Sequence, residues 1–162
     1  MDSKLYLERS ENELELAKII FKISNKKDIQ KGIFDIDNPL TFFSSVISHC
    51  YYCIFYSAKA YLLKKGIKTE APEEHKKTFE EFKNLVEKGV IDVELLRLYE
   101  KIIIRADTLI GIFDKEKGKR GRFTYRKLSQ ANYEPAKESL ENAKTFFKHT
   151  YNLINEEDMF SP

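Results

Sequence analysis

An all-α fold is predicted for this chain, and three observations predict it. Apolar residues recur at three- and four-residue steps through every long segment, and no stretch alternates with the two-residue period of a strand. Glycine and proline are scarce, 6 and 4 of 162 residues, too few for the many turns of a sandwich or barrel. Hydrophobic residues at 42% and charged residues at 33% suffice for one core under a charged surface, and the length suits a single domain. The expected architecture is an antiparallel helical bundle of about five helices over residues 1–155, followed by a frayed tail at 156–162.

The first helix is predicted from about Ser3 to Ser24, with Leu7, Leu14, Ala17, Ile20 and Phe21 on one face. Residues 25–38 are polar and contain Gly32, which reads as a connection; Pro39 suits a first helical turn, where its missing N–H is not needed. A second helix, about Leu40 to Lys65, carries Phe43, Ile47, Cys50, Ile54, Tyr61 and Leu62 in register, and Gly66 ends it with a left-handed cap. Tyr51, Tyr52, Phe55 and Tyr56 fill its other face, so it should be the most enclosed element. A third helix begins near Pro72, with Glu73 and Glu74 favourable for the dipole of its first turn. Its face is Phe79, Phe82, Leu85 and Val86, and Gly89 closes it. The fourth starts at Asp92 as N-cap and repeats Leu95, Tyr99, Ile102, Ala106, Leu109, Ile110 and Phe113. The last runs from about Tyr133 to Ile154, with Ala136, Leu140, Ala143, Phe147 and Thr150 facing inward. Short connections imply antiparallel neighbours.

Several function classes lose support at this level. The formal charge of +2 creates no global field for nucleic acid, so any such activity needs a local patch. The run from Asn38 to Ala58 lacks formal charge over about the length of a membrane span, but serines and His49 interrupt it and Lys59 follows, which reads as a buried bundle helix. The start Met1-Asp2-Ser3-Lys4 does not read as a signal peptide. Cys50 and Cys53 share one helical face in poor geometry for a disulfide, and a single C-x-x-C closes no zinc site; small core residues in a reducing cytoplasm is the expectation. His49 and His149 read as core or capping residues, and His75 has no second histidine four residues on, so no metal is expected. Phosphate-cradling and hydrolase-elbow motifs are absent and no cofactor is implied. Arg105 and Asp107, among apolar neighbours, need partners if they face inward.

The chemistry is expected in the linker before the last helix. Residues Lys115 to Lys127 hold seven basic side chains against one Glu, with Gly118 and Gly121 freeing the backbone and Phe123 and Tyr125 among the cations. Arg pairs bidentately with phosphate and aromatic rings stack on exposed bases. Arg120, Arg122 and Tyr125, with Lys119 and Arg126, are therefore candidate residues for nucleotide or RNA phosphate, expected to converge at the start of the last helix beside the second. The alternative for such a charge run is an ordinary solvated loop.

The second helix also resembles a known family. Ser48-His-Cys-Tyr51-Tyr52-Cys-Ile-Phe55-Tyr-Ser-Ala58-Lys-Ala60-Tyr-Leu-Leu63 looks like the double-tyrosine helix of HEPN-domain proteins, in particular their small single-domain prokaryotic branch. His75-Lys-Lys-Thr-Phe79 resembles that branch's His-Lys step, and an Arg-to-Tyr signal precedes Ala136, Leu140, Ala143 and Phe146 as in the family's final helix. The resemblance covers about Phe42 to Ile154. It implies a helical bundle, commonly a homodimer, paired with a minimal nucleotidyltransferase in a toxin–antitoxin-like system. The number of aromatics on the second helix points to a dimer as well.

Active members of the family are metal-independent RNases that use Arg, four to six residues, then His. Here Arg120 is followed after four residues by Tyr125, and the loop holds no His. A tyrosine with an ordinary pKa near 10 is a poor base at neutral pH. The leading expectation is thus a cytoplasmic binding or interaction subunit. The alternative is an endoribonuclease toxin in which Arg120 or Arg122 stabilises phosphate charge and His75 or Tyr125 handles the proton.

Overall fold

A computed structural model describes residues 2–110 and 133–159. Six α-helices and no strand occur among the described residues: α1 (Ser3–Ser24), α2 (Lys27–Phe34), α3 (Phe43–Lys64), α4 (Glu74–Glu87), α5 (Val93–Ile110) and α6 (Tyr133–Met159). They pack as a bundle in which α3 is the axis: α1, α4, α5 and α6 all lie against it. Among the residues whose burial is described, the apolar periods read from the sequence are buried or half-buried on the inward faces, the fourth helix's period being described as far as Ala106.

α1 and α3 form the closest pair, and small residues allow it. Ala17, Cys50, Cys53 and Ser57 are fully buried. Ser10 bonds the Cys53 carbonyl at 2.7 Å and the Ser57 hydroxyl at 2.6 Å, while Ser3 donates to the Ala60 carbonyl at 2.7 Å. Ser3 meets Ala60 and Phe21 meets Phe43, so the two helices run antiparallel. α5 and α6 are antiparallel as well, with Tyr99 against Phe146 and Arg105 bonded to Glu138. By contrast α6 runs parallel to α3, its Tyr133 resting on Phe43 and its Asp158 paired with Lys64.

The boundaries differ from the sequence reading at the start of α4, where Glu73 is a left-handed N-cap and Glu74 alone is acidic in the first turn, and in three further places. The stretch read as a connection contains α2, organised by the fully buried Gln30. Its amide donates to the carbonyls of Ile23 and Leu40 at 2.8 and 2.9 Å and accepts from the Leu40 N–H at 2.8 Å. That clamp, with a bond from the Phe42 N–H to Ser24 Oγ at 2.9 Å, holds Pro39 outside the helix and delays α3 to Phe43. At the other end α6 continues to Met159, because Lys64 and Lys65 at the end of α3 meet Asp158 and Glu157; residues 156–159 are helix, not frayed tail.

Other terminators act as expected. Gly66 and Gly89 both adopt positive φ, +76° and +74°, where a side chain is strained. Asp92 caps α5 by accepting from the Glu94 N–H at 2.8 Å. Cys50 and Cys53 are free and fully buried. No described helix is long and apolar enough to cross a membrane; the charge-free run is the bundle's central helix.

Candidate functional site

Of the residues singled out by the sequence, Lys119, Arg120, Arg122, Tyr125 and Arg126 lie outside the described residues, as does Phe113. His75 lies within them. It stands in the first turn of α4 and places its ring on Phe55, with centroids 4.2 Å apart and planes 20° off parallel. Its Nδ1 is 2.8 Å from the hydroxyl of Tyr51. Tyr52 meets the imidazole edge-on at 6.0 Å. Two successive turns of one helix thus supply a floor and a hydrogen bond that fix the orientation of one histidine.

Local sequence explains that placement. Tyr51, Tyr52 and Phe55 sit at adjacent and i+4 positions, so they crowd one side of α3. α4 is brought there by two anchors. Thr69 and Thr78, both buried, bond each other at 2.7 Å, and Thr78 bonds the Glu74 carbonyl at 2.8 Å, tying the α3–α4 connection to α4. Glu74 pairs with Lys59, which is only 4% exposed. A lysine so buried needs its counter-charge, and Glu74 is the neighbour of His75.

The electrostatics favour protonated phenols. Burial pushes the Tyr51 hydroxyl well above its ordinary pKa, and the nearby phenol of Tyr52 and carboxylate of Asp107 push the same way. Behind it, Tyr99 is fully buried and its hydroxyl is also driven upward by burial and by Tyr51. Tyr51 is therefore a neutral donor or acceptor at physiological pH, not a phenolate. α5, which carries Asp107 in its last turns, packs against α3.

A second cluster adjoins the first along α3. Tyr56 follows Tyr52 by one turn, their rings 6.1 Å apart, and Tyr6 of α1 lies 6.0 Å beyond. The guanidinium of Arg9 lies 4.4 Å over the Tyr56 ring and donates to its hydroxyl at 3.0 Å. Lys59 is 4.8 Å from the Tyr6 ring. The sequence reading named Tyr52 and Tyr56 but missed Tyr6, Arg9 and Lys59. Lys59 had one signal, a lone cation inside a helix enclosed on all sides; Arg9 had none.

The remaining candidates resolve as structural. His49 bonds Glu13 of α1 through Nδ1 at 2.6 Å; His149 is instead exposed within α6, neither a core nor a capping residue, because the helix continues ten residues past it to Met159. Arg105 is partly exposed and pairs with Glu138 rather than sitting unpaired in the core. Burial pushes the Cys53 thiol up to about 12 and raises Cys50 too, so neither is a thiolate nucleophile at neutral pH.

No family model matches the chain, and no curated protein matches it. What fold and site define is a helical bundle with a histidine held by a tyrosine on a partly open aromatic face.

Proposed function

We propose that this protein is a cytoplasmic, HEPN-like binding subunit that holds a phosphate-bearing ligand, nucleotide or RNA, between the basic loop and the Tyr51–His75 face. The observation that carries this reading is the 2.8 Å hydrogen bond between the Tyr51 hydroxyl and His75 Nδ1 on α3, the helix against which α5 also packs. Arg120 and Arg122, with Lys119 and Arg126, supply the phosphate-binding charge, and Tyr125 a ring. In support, an oriented imidazole, a neutral phenol and half-buried tyrosines form a surface suited to a flat, polar, anionic ligand.

Labelled nucleotide or short RNA tests it. Binding should weaken with salt as phosphate counterions are displaced, and Arg120→Ala should cost about 1.5–3 kcal/mol. Salt-independent affinity unchanged by Arg120, Arg122 and Tyr125 variants removes the reading.

One observation favours the second reading, a metal-independent endoribonuclease. A histidine whose ring is fixed by a partner on Nδ1 has the pre-orientation that proton transfer requires. RNA cut by wild type in chelator and spared by His75→Ala selects it.

The dimer and the nucleotidyltransferase partner also belong to this proposal. The aromatics of α3 are largely enclosed by their own bundle, so they do not argue for a dimer. Exposed apolar residues occur on several elements, among them Leu16, Ile19, Ile33, Phe34 and Leu40 of α1, α2 and the segment after it at 42–69% exposure, and Ile104 on α5 at 68%. Exposed apolar side chains of this kind support an interface where they are contiguous. Light scattering at high protein concentration checks the dimer, and co-purification with the product of a neighbouring gene checks the partner.

A further inference from the structure

We propose that the face of α3 between α1 and α4 is a stacking platform for the unpaired bases of RNA; this rests on the phosphate-ligand reading and adds what grips the base. α1 and α4 share no packed interface of their own, each lying instead on α3. Between them runs a row of rings: His75, Tyr52, Tyr56 and Tyr6, each half-buried, so each keeps part of its ring at the surface. Neighbouring tyrosines along it are 6.1 and 6.0 Å apart, with planes within 30° and 24° of parallel. The core does not require polar rings here, since Tyr51, Phe55 and the side chains beneath already seal it.

One cation at the row, Arg9, suits the same ligand, although the carboxylate of Glu13 acts on Tyr56 as well. Lys59 under the row is neutralised by Glu74. Arg9 at its edge is exposed and lies on Tyr56 at 4.4 Å, and it makes no ion pair among the described residues. A guanidinium stacked on a ring and not spent on a carboxylate offers its outer face to a base and its charge to a phosphate. Stacking is indifferent to base identity, because every base has a π-face. The platform therefore binds unpaired strand without reading sequence.

The experiment compares two labelled oligomers of equal length by anisotropy with the full chain: oligouridylate and an abasic ribose-phosphate chain. Oligouridylate should bind more tightly. Tyr52→Ala and Tyr56→Ala should each weaken it roughly five- to hundredfold and leave the abasic chain unchanged, whereas Tyr56→Phe should retain the stacking. Since the alanine variants remove half-buried rings, Arg9→Lys on the exposed edge provides a second test. It keeps the charge and loses the planar face, and should weaken oligouridylate but not the abasic chain. Equal binding of the two oligomers, with Arg9→Lys silent, overturns the platform; if Arg120→Ala still weakens both, the phosphate reading stands. Binding of neither oligomer overturns both.

Discussion

The ammonium of Lys59, buried within α3, pairs with Glu74, the residue that precedes His75. The imidazole's position on Phe55 thus depends on an ion pair beside it, and the two partners are not equivalent. Lys59 is 5% exposed at its side chain and Glu74 34%.

That asymmetry predicts unequal mutants. Glu74→Gln leaves a buried ammonium without its counter-charge and should cost about 3 kcal/mol. Lys59→Met removes the buried charge and leaves a carboxylate that water reaches, so its cost should stay below about 1.5 kcal/mol. Urea unfolding of the two variants checks the order; equal losses contradict it.

Tyr99 carries a different kind of tension. Its hydroxyl is buried among Phe79, Phe82 and Phe146 with no hydrogen-bond partner among the described residues. Removing the oxygen removes an unsatisfied group, so Tyr99→Phe should stabilise the fold by about 1 kcal/mol. A loss of stability in thermal unfolding means that the hydroxyl is bonded.

Gln30 should behave in the opposite sense. Its amide makes three bonds to backbone groups at 2.8–2.9 Å. Gln30→Ala strands those groups and should destabilise the protein by about 1–3 kcal/mol. Hydrogen exchange should then quicken at Leu40 while remaining slow in α3; unaltered protection at Leu40 rules out the clamp.

Alkaline pH should unfold the bundle through its own acids. Cys50, Cys53, Tyr51 and Tyr99 have folded pKa values raised above the ordinary 9.0 of the thiols and 10.0 of the phenols. The stability they contribute is whole below pH 9 and is lost as the pH rises through 9–10 toward the folded values, because the unfolded chain releases these protons first. Phenolate absorbance should show tyrosines that ionise only as helix content falls. Full ionisation with the helices intact contradicts this.

The helices themselves were legible because their signal is local. A three- and four-residue apolar period, Asp92 before α5, and Gly66 and Gly89 at positive φ act within a few residues of where they stand. α2 was not legible, since it is stabilised by Gln30, a polar residue whose partners Ile23 and Leu40 lie seven and ten residues away. The end of α6 was missed for the same reason: its acidic last turns are held by lysines more than 90 residues earlier.

The candidate site divides along the same line. The sequence by itself determined that Tyr51, Tyr52, Phe55 and Tyr56 share a helix and that His75 begins another. Only tertiary packing decided that His75 lies on Phe55 with Tyr51 on its Nδ1, that Arg9 covers Tyr56, and that Lys59 meets Glu74. The reason is physical. Helical period depends on neighbours three and four positions away, whereas contacts between α1, α3 and α4 depend on how whole faces dock, and no spacing in the chain encodes which exposed cation meets which ring.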